Sequence, residues 1–235
     1  MPPSGAAVRV DAVLAVVDEF ALDAGFIYDG ERRDIDDPLG LANVTDESPL
    51  MACLPDADGV IADDGGFVGQ LAGSSSGAYY FTDGEETELG EMARLDHPML
   101  TASVAIVDDE ARPTLLAVVE ELASEQFAEC VAAAADEWKA AIEAERTAAE
   151  QDFPAVEISL SSDDLDIGDA AVLFTTIQSG RDDDGERHSA TGQVATAMAG
   201  DTLIIVTHTV YDGDDDPAAS PVIVAALEAA VDAAG

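Results

Sequence analysis

The stretch Gln193–Tyr211, QVATAMAGDTLIIVTHTVY, reads as two strands folded back on each other about Gly200-Asp201. Gly-Asp between two apolar runs is a two-residue hairpin signal, and strands joined so tightly pair antiparallel. The same pattern continues upstream. Val156, Ile158 and Leu160 alternate with polar residues, and Ala170–Ile177 is a dense apolar strand, so the C-terminal third reads as a β-meander. Further toward the N-terminus, Tyr79–Phe81 and Leu100–Val107 read as strands, the latter with Leu100, Ala102, Val104 and Ile106 alternating with Thr101, Ser103 and Ala105. Helical spacing of apolar residues predicts helices over Asp11–Phe20 with Asp11 as N-cap, over Glu110–Ala123, and over Ser124–Glu150 with Ser124 as cap. The last of these carries a stripe of Phe127, Cys130, Val131, Ala134, Trp138, Ala141 and Ile142, which aims Cys130 at the core. A closing helix starts at Ser220-Pro221 and is expected to bury Val224, Leu227 and Val231. Strands clustered this way, with helices between and after them, predict an α+β fold: a twisted antiparallel sheet with helices packed on one face. No linker divides two cores, so 1–235 is expected to be a single domain, with residues 1–8 flexible and 29–77 loop-rich apart from one helical turn near Leu50–Leu54.

The charge balance sets the environment. The chain carries 50 Asp and Glu against 9 Lys and Arg, a formal net charge of −41, yet 48% of its residues are hydrophobic. Such a chain can bury a core, and its surface suits a salt-rich setting, because at about 1 M salt the screening length falls to roughly 3 Å. The melting temperature is therefore expected to rise with salt; one unchanged between low and molar salt would remove the charge argument. The acids leave no basic face for a phosphate backbone, so no nucleic-acid partner is expected. No run of about 18 apolar residues is present, so no membrane-spanning segment is expected. Met1–Val10 lacks a basic segment followed by an apolar run, so either the protein is cytosolic or an export segment has been removed.

The chemistry-bearing motifs are sparse. Gly73-Ser74-Ser75-Ser76-Gly77 matches G-x-S-x-G, but the strand-like Ala78–Thr82 follows where a nucleophile elbow needs a helix, so the run reads as a flexible loop. His208 shares a strand face with Ile204, Val206 and Val210 and reads as a core histidine; His188 opens the preceding strand and His97 precedes Pro98 in a loop. None has metal-ligand spacing. The acidic turns at Asp182-Asp183-Asp184 and at Asp212, Asp214, Asp215 and Asp216 lack an EF-hand register and read as solvated. Asn43-Val44-Thr45 is an N-glycosylation pattern that matters only for an exported protein. No catalytic residue, metal site or cofactor is expected. Tyr79, Tyr80 and Tyr211 are the candidate ligand-binding aromatics, set against their ordinary use as packing on a sheet. Cys53 and Cys130 are either one bridge or two buried thiols.

Cys53-Leu54-Pro55 in a loop, the strand Leu100–Val107, and Phe127-Ala128-Glu129-Cys130 in a helix together resemble the actinobacterial sensor-domain lipoproteins, LpqN-type proteins and the outer domain of PknH-type kinases. The downstream order of strand, long hairpin, strand and closing helix is similar too. The resemblance implies a PsbP/Mog1-like fold outside the cytoplasm, a disulfide between Cys53 and Cys130, and a ligand-binding or interaction role without catalysis. This sequence departs from the family in having no lipobox cysteine and far more acid. The expected function is thus a non-enzymatic sensor-like or ligand-binding domain of the cell envelope in a salt-adapted organism, with a small molecule or envelope component as partner. The alternatives are a cytosolic acidic structural or assembly protein of a halophile, and a serine hydrolase using Ser74–Ser76 with His97 or His188.

Overall fold

A computed structural model describes residues 5–29, 31–35, 53, 68–81, 97–148, 157–181, 187–211 and 221–235. The described elements follow the order α1 (Gly5–Asp23), β1 (Phe26–Asp29), β2 (Arg33–Asp34), β3 (Gln70–Ser75), β4 (Ala78–Phe81), β5 (Met99–Val107), α2 (Arg112–Leu122), α3 (Glu125–Ala148), β6 (Glu157–Leu165), β7 (Ala170–Arg181), β8 (Arg187–Ala199), β9 (Thr202–Tyr211) and α4 (Pro221–Ala234). All nine strands join one antiparallel sheet, so the fold is α+β. Its path is β1-β4-β5-β9-β8-β7-β6, with β3 beside β4 on the same edge of β5 and β2 beyond β3.

The meander forms as its turns dictate. Ala199 pairs with Thr202 across Gly200-Asp201, and Gly200 adopts φ 61°, a left-handed conformation that a side chain resists. Ten register pairs then run without a slip from that turn to Ala190 and Tyr211. From β5 the chain crosses through α2 and α3 to the far edge of the sheet, and β6–β9 bring it back until β9 pairs with β5.

That crossover places helices on both faces of the sheet, not on one. Ala102, Val104 and Ile106 of β5, with Ile204 and Val206 of β9 and Ala195 and Ala197 of β8, pack with α1 and α4. Their strand neighbours Ala105, Val107, Leu203, Ile205, Val172 and Met198 pack instead with Leu115, Val118 and Val119 of α2. The single-face expectation rested on the order of strands and helices, and the half-buried alternation read over Leu100–Val107 agreed with it. In the structure that alternation stops at Ser103: residues 104–107 are all buried, as are Thr202–Val206 of β9, the pattern of strands covered on both sides. On the α2 side, Phe127, Val131 and Ala135 of α3 close over Leu160 of β6.

The helices depart from expectation in register more than in existence. Helix α1 begins at Gly5, inside the segment expected to be flexible, because Val10 extends the buried stripe of Val13, Leu14 and Val17 by a turn. Asp11 therefore lies within the helix and does not cap it. Ser124 does cap α3, accepting a hydrogen bond from the Phe127 amide at 3.1 Å. In α4 the buried stripe is Ile223, Ala226, Leu227 and Ala230, leaving Val224 and Val231 half-buried. Cys130 is half-buried and bonded to Cys53, their Cα atoms 5.6 Å apart across 77 positions. Most of 29–77, the Leu50–Leu54 turn apart from Cys53, Asn43-Val44-Thr45 and the acidic turns at 182–184 and 212–216 lie outside the described residues, as do the side chains of Trp138, Ala141, Ile142, His188 and Tyr211.

Candidate functional site

Strands β3 and β4 form one interrupted strand along β5. The register between them slips by one residue, since Ser75 pairs with Ser103 while Tyr79 pairs with Leu100. Ser76 fills the slip. Its amide donates to the Ala102 carbonyl at 2.7 Å, and its hydroxyl accepts from the Ala102 amide at 2.9 Å and donates to the Gly77 carbonyl at 2.8 Å. The outer strand breaks at the same level: β1 pairs with β4 and β2 with β3. The Gly73–Gly77 run is thus sheet and bulge, not a flexible loop. Small polar residues carry no apolar alternation, and only pairing on both sides makes them a strand.

This broken edge leaves an open groove of about 400 Å³ between the first turns of α1 and β2–β3. Ala7, Val10 and Asp11 form one wall, Asp34 and Ile35 the outer rim, and Gln70–Ser74 the floor. Gln70 is built into that floor. Its Nε2 donates to the Ile35 carbonyl at 2.6 Å and lies 2.6 Å from where a Cβ on Gly73 would sit, so the amide needs a glycine beneath it. The donor bond fixes which end of the amide is oxygen, and that Oε1 is buried with no hydrogen-bond partner among the described residues. Ser74, also lining the groove, donates its hydroxyl to the Arg33 carbonyl at 3.1 Å.

Beside the groove, α1 carries a charged lattice. Arg32 reaches Asp11 at 3.1 Å and Asp18 at 2.5 Å, two helical turns apart, and the Tyr79 hydroxyl donates to Asp18. Burial first, then the Asp18 contact, pushes the Tyr79 phenol well above its ordinary range, so it stays a neutral donor. Burial opposes the Arg32 charge, but Asp18 and Asp11 outweigh it and raise the guanidinium further. Tyr79 was a candidate recognition residue on the assumption of exposure; it is fully buried, its ring tilted against that of Tyr28 at 5.1 Å between centroids, and its hydroxyl ties the sheet to Asp18 of α1. Tyr80 is half-buried.

His208 lies deeper on the same sheet face, opposite Leu100 and Gln193, with its ring 6.4 Å from that of Phe26. It is 5% exposed, its Nδ1 has no hydrogen-bond partner among the described residues, and burial holds its pKa down at about 4. Serine hydroxyls at positions 74 and 76 are committed to backbone groups of the sheet, and His97 is half-buried next to Pro98. Among the described residues no group of three or more His, Cys, Asp or Glu side chains could hold a metal ion, and no helix is long and apolar enough to cross a membrane.

Sequence reasoning missed Gln70, Asp34 and the groove itself. Gln70 follows Gly69, which adopts φ 73°, and a polar residue after such a turn carries no signal of its own. No protein-family model matches the chain, and no curated protein matches it in sequence.

Proposed function

We propose that the protein is a non-enzymatic ligand-binding or sensor-like domain that works outside the cytoplasm, at the cell envelope of a salt-adapted organism. The observation that carries this reading is the bridge between Cys53 and Cys130. A disulfide across a long loop persists in oxidising compartments and is rare in a reducing cytosol. The groove between α1 and β3 supports the ligand-binding half: it is concave, of ligand size, with an apolar wall and a few fixed polar atoms. Commitment of the Ser74 and Ser76 hydroxyls to the sheet favours binding over a serine-based hydrolysis. The acidic surface supports the salt-rich setting, and the likeness to sensor-domain lipoproteins belongs to this proposal.

The test is the mass of intact protein from its native source, with alkylation before and after reduction. Cysteines that alkylate only after reduction are expected. Two thiols free in native material would end the envelope reading and favour the cytosolic structural protein. Saturable binding to none of a broad set of envelope components would end the ligand-binding reading.

A further inference from the structure

We infer that His208 and the β1–β4 edge form an acid-sensitive latch: a proton on the buried imidazole drives β1 and β4 off the sheet face while β9 stays paired with β5 and β8. In the sheet β1 is separated from β9 by β4 and β5, three strand spacings or about 14 Å, yet the rings of Phe26 and His208 lie 6.4 Å apart. The β1–β4 edge therefore curls over the face that carries His208. Phe26, itself buried and packed edge-on to Phe81 at 5.5 Å, covers the imidazole. Nothing around the ring is ready to receive a second proton's charge. Among the described residues its Nδ1 has no partner, and burial is what holds the proton off. Strand β5 sets Leu100 beside it and β8 sets Gln193, while Tyr79 of β4 is a neutral phenol. Asp18 of α1 is held by Arg32 and the Tyr79 hydroxyl. Asp11, Glu19 and Asp23 of α1 and Glu228 and Asp232 of α4 are exposed, and His97 lies half-buried before Pro98 at the margin of β4.

A buried imidazolium has to be paired or hydrated, so the contact that gives way is the weakest one around it. Strand β9 is held by eight register pairs to β5 and ten to β8. By contrast, β4 meets β5 through two pairs, Tyr79 with Leu100 and Tyr80 with Met99, and through the Phe81 amide, which donates to the Pro98 carbonyl at 2.9 Å. Among the described strands β1 pairs with β4 alone. The chain also turns sharply beside this edge, at Gly25 with φ 89° before β1 and at the Ser76 slip before β4. Lifting the edge lets water reach His208 without breaking the ladders on either side of β9. It also bares Phe26, Phe81 and the fully buried Leu100, an apolar surface that is covered in the closed form.

The test is amide hydrogen exchange, expressed as protection factors so that the intrinsic pH dependence cancels, at values above the isoelectric point of about 4.1. About 2 M KCl keeps carboxylate repulsion screened. Below the ordinary histidine value of 6.5 the open form binds one proton more than the closed form. Protection over residues 26–29 and 78–81 is therefore expected to fall about tenfold per pH unit between about pH 6.5 and 5, while 101–106 and 203–207 keep theirs. His208→Leu, uncharged throughout, is expected to abolish that loss. Phe26→Ala guards against a misfolded His208→Leu: with its cover removed, the imidazole is expected to titrate about one unit or more above its value in the wild type, read from its ring resonances. Protection independent of pH, or a loss shared equally by the reference strands, would overturn the proposal. So would an unchanged loss in His208→Leu, which would belong to His97 or the carboxylates, or equal titration of His208 in wild type and Phe26→Ala.

Discussion

The two sides of the sheet are built differently. On the β6–β9 side the strands run nine to thirteen residues, and the ladders hold register along their whole length, with twelve consecutive pairs between β7 and β8. On the β1–β4 side the strands are two to six residues long, and register slips at Gln70/Ala72 and again at Ser76. The central long strands are covered on both faces and bury apolar side chains on each. Breaking the short ones frees backbone and opens a groove. Stability is concentrated in one side and adaptable chemistry in the other, and the Cys53–Cys130 bridge ties them, since it joins the chain between β2 and β3 to the helix covering β6.

The bridge gives the largest test of this division. Replacing Cys53 and Cys130 together by Ser is expected to cost about 4–5 kcal/mol by the chain-entropy account of a loop of this length. Urea unfolding of the pair variant checks it, and a loss under about 1 kcal/mol would mean the two sides hold together without the staple. Next comes a matched truncation. Ile204→Ala, at a site with no exposure between Val104 and Ala197, is expected to cost about 3–4 kcal/mol, whereas Leu71→Ala on the groove lip changes stability by less than about 0.5 kcal/mol. Similar losses at both sites would erase the contrast.

His208 provides a pH test of the buried side. Its folded pKa of about 4 lies below the ordinary 6.5, so between these values the unfolded chain binds a proton that the folded one refuses. The stability from a neutral His208 is complete above pH 6.5 and is lost as pH falls toward 4, to a total of about 3 kcal/mol. Carboxylate protonation relieves repulsion over part of the same range, so the readout is the difference between wild type and His208→Leu. A difference flat across that window would place the imidazole in contact with water. A smaller loss than at the bridge, Ile204 or His208 is expected at the junction. Tyr79→Phe removes the hydroxyl from Asp18 but leaves Arg32 in place, at a cost of about 1–2 kcal/mol in a melting or denaturant experiment. No loss would mean that Arg32 alone anchors α1.

Legibility followed the same division. The meander was readable because its strands are long, apolar and separated by turns with strong local chemistry, Gly200-Asp201 above all. Helix α3 was readable from its stripe and Ser124 cap. The groove was not, because Gln70, Gly73 and Ser74 have neither periodicity nor apolar content, and their strand exists only through its partners Arg33, Asp34 and Val104. The second helical face was partly written in the chain. Ala105-Ile106-Val107 and Leu203–Val206 are unbroken apolar runs, which a half-buried strand does not need.

By itself, the sequence determined the α+β class, the antiparallel pairing of the last strands and the strongly acidic charge balance. These depend on local turn chemistry, residue period and summed charge, which need no partner to be read. Only the tertiary structure decided that helices cover both faces, that Tyr79 is a buried anchor between α1 and the sheet, that Cys53 meets Cys130, and that a groove opens between α1 and β3. Each of these depends on which distant segment arrives opposite a residue, and that is set by packing the whole chain around one sheet.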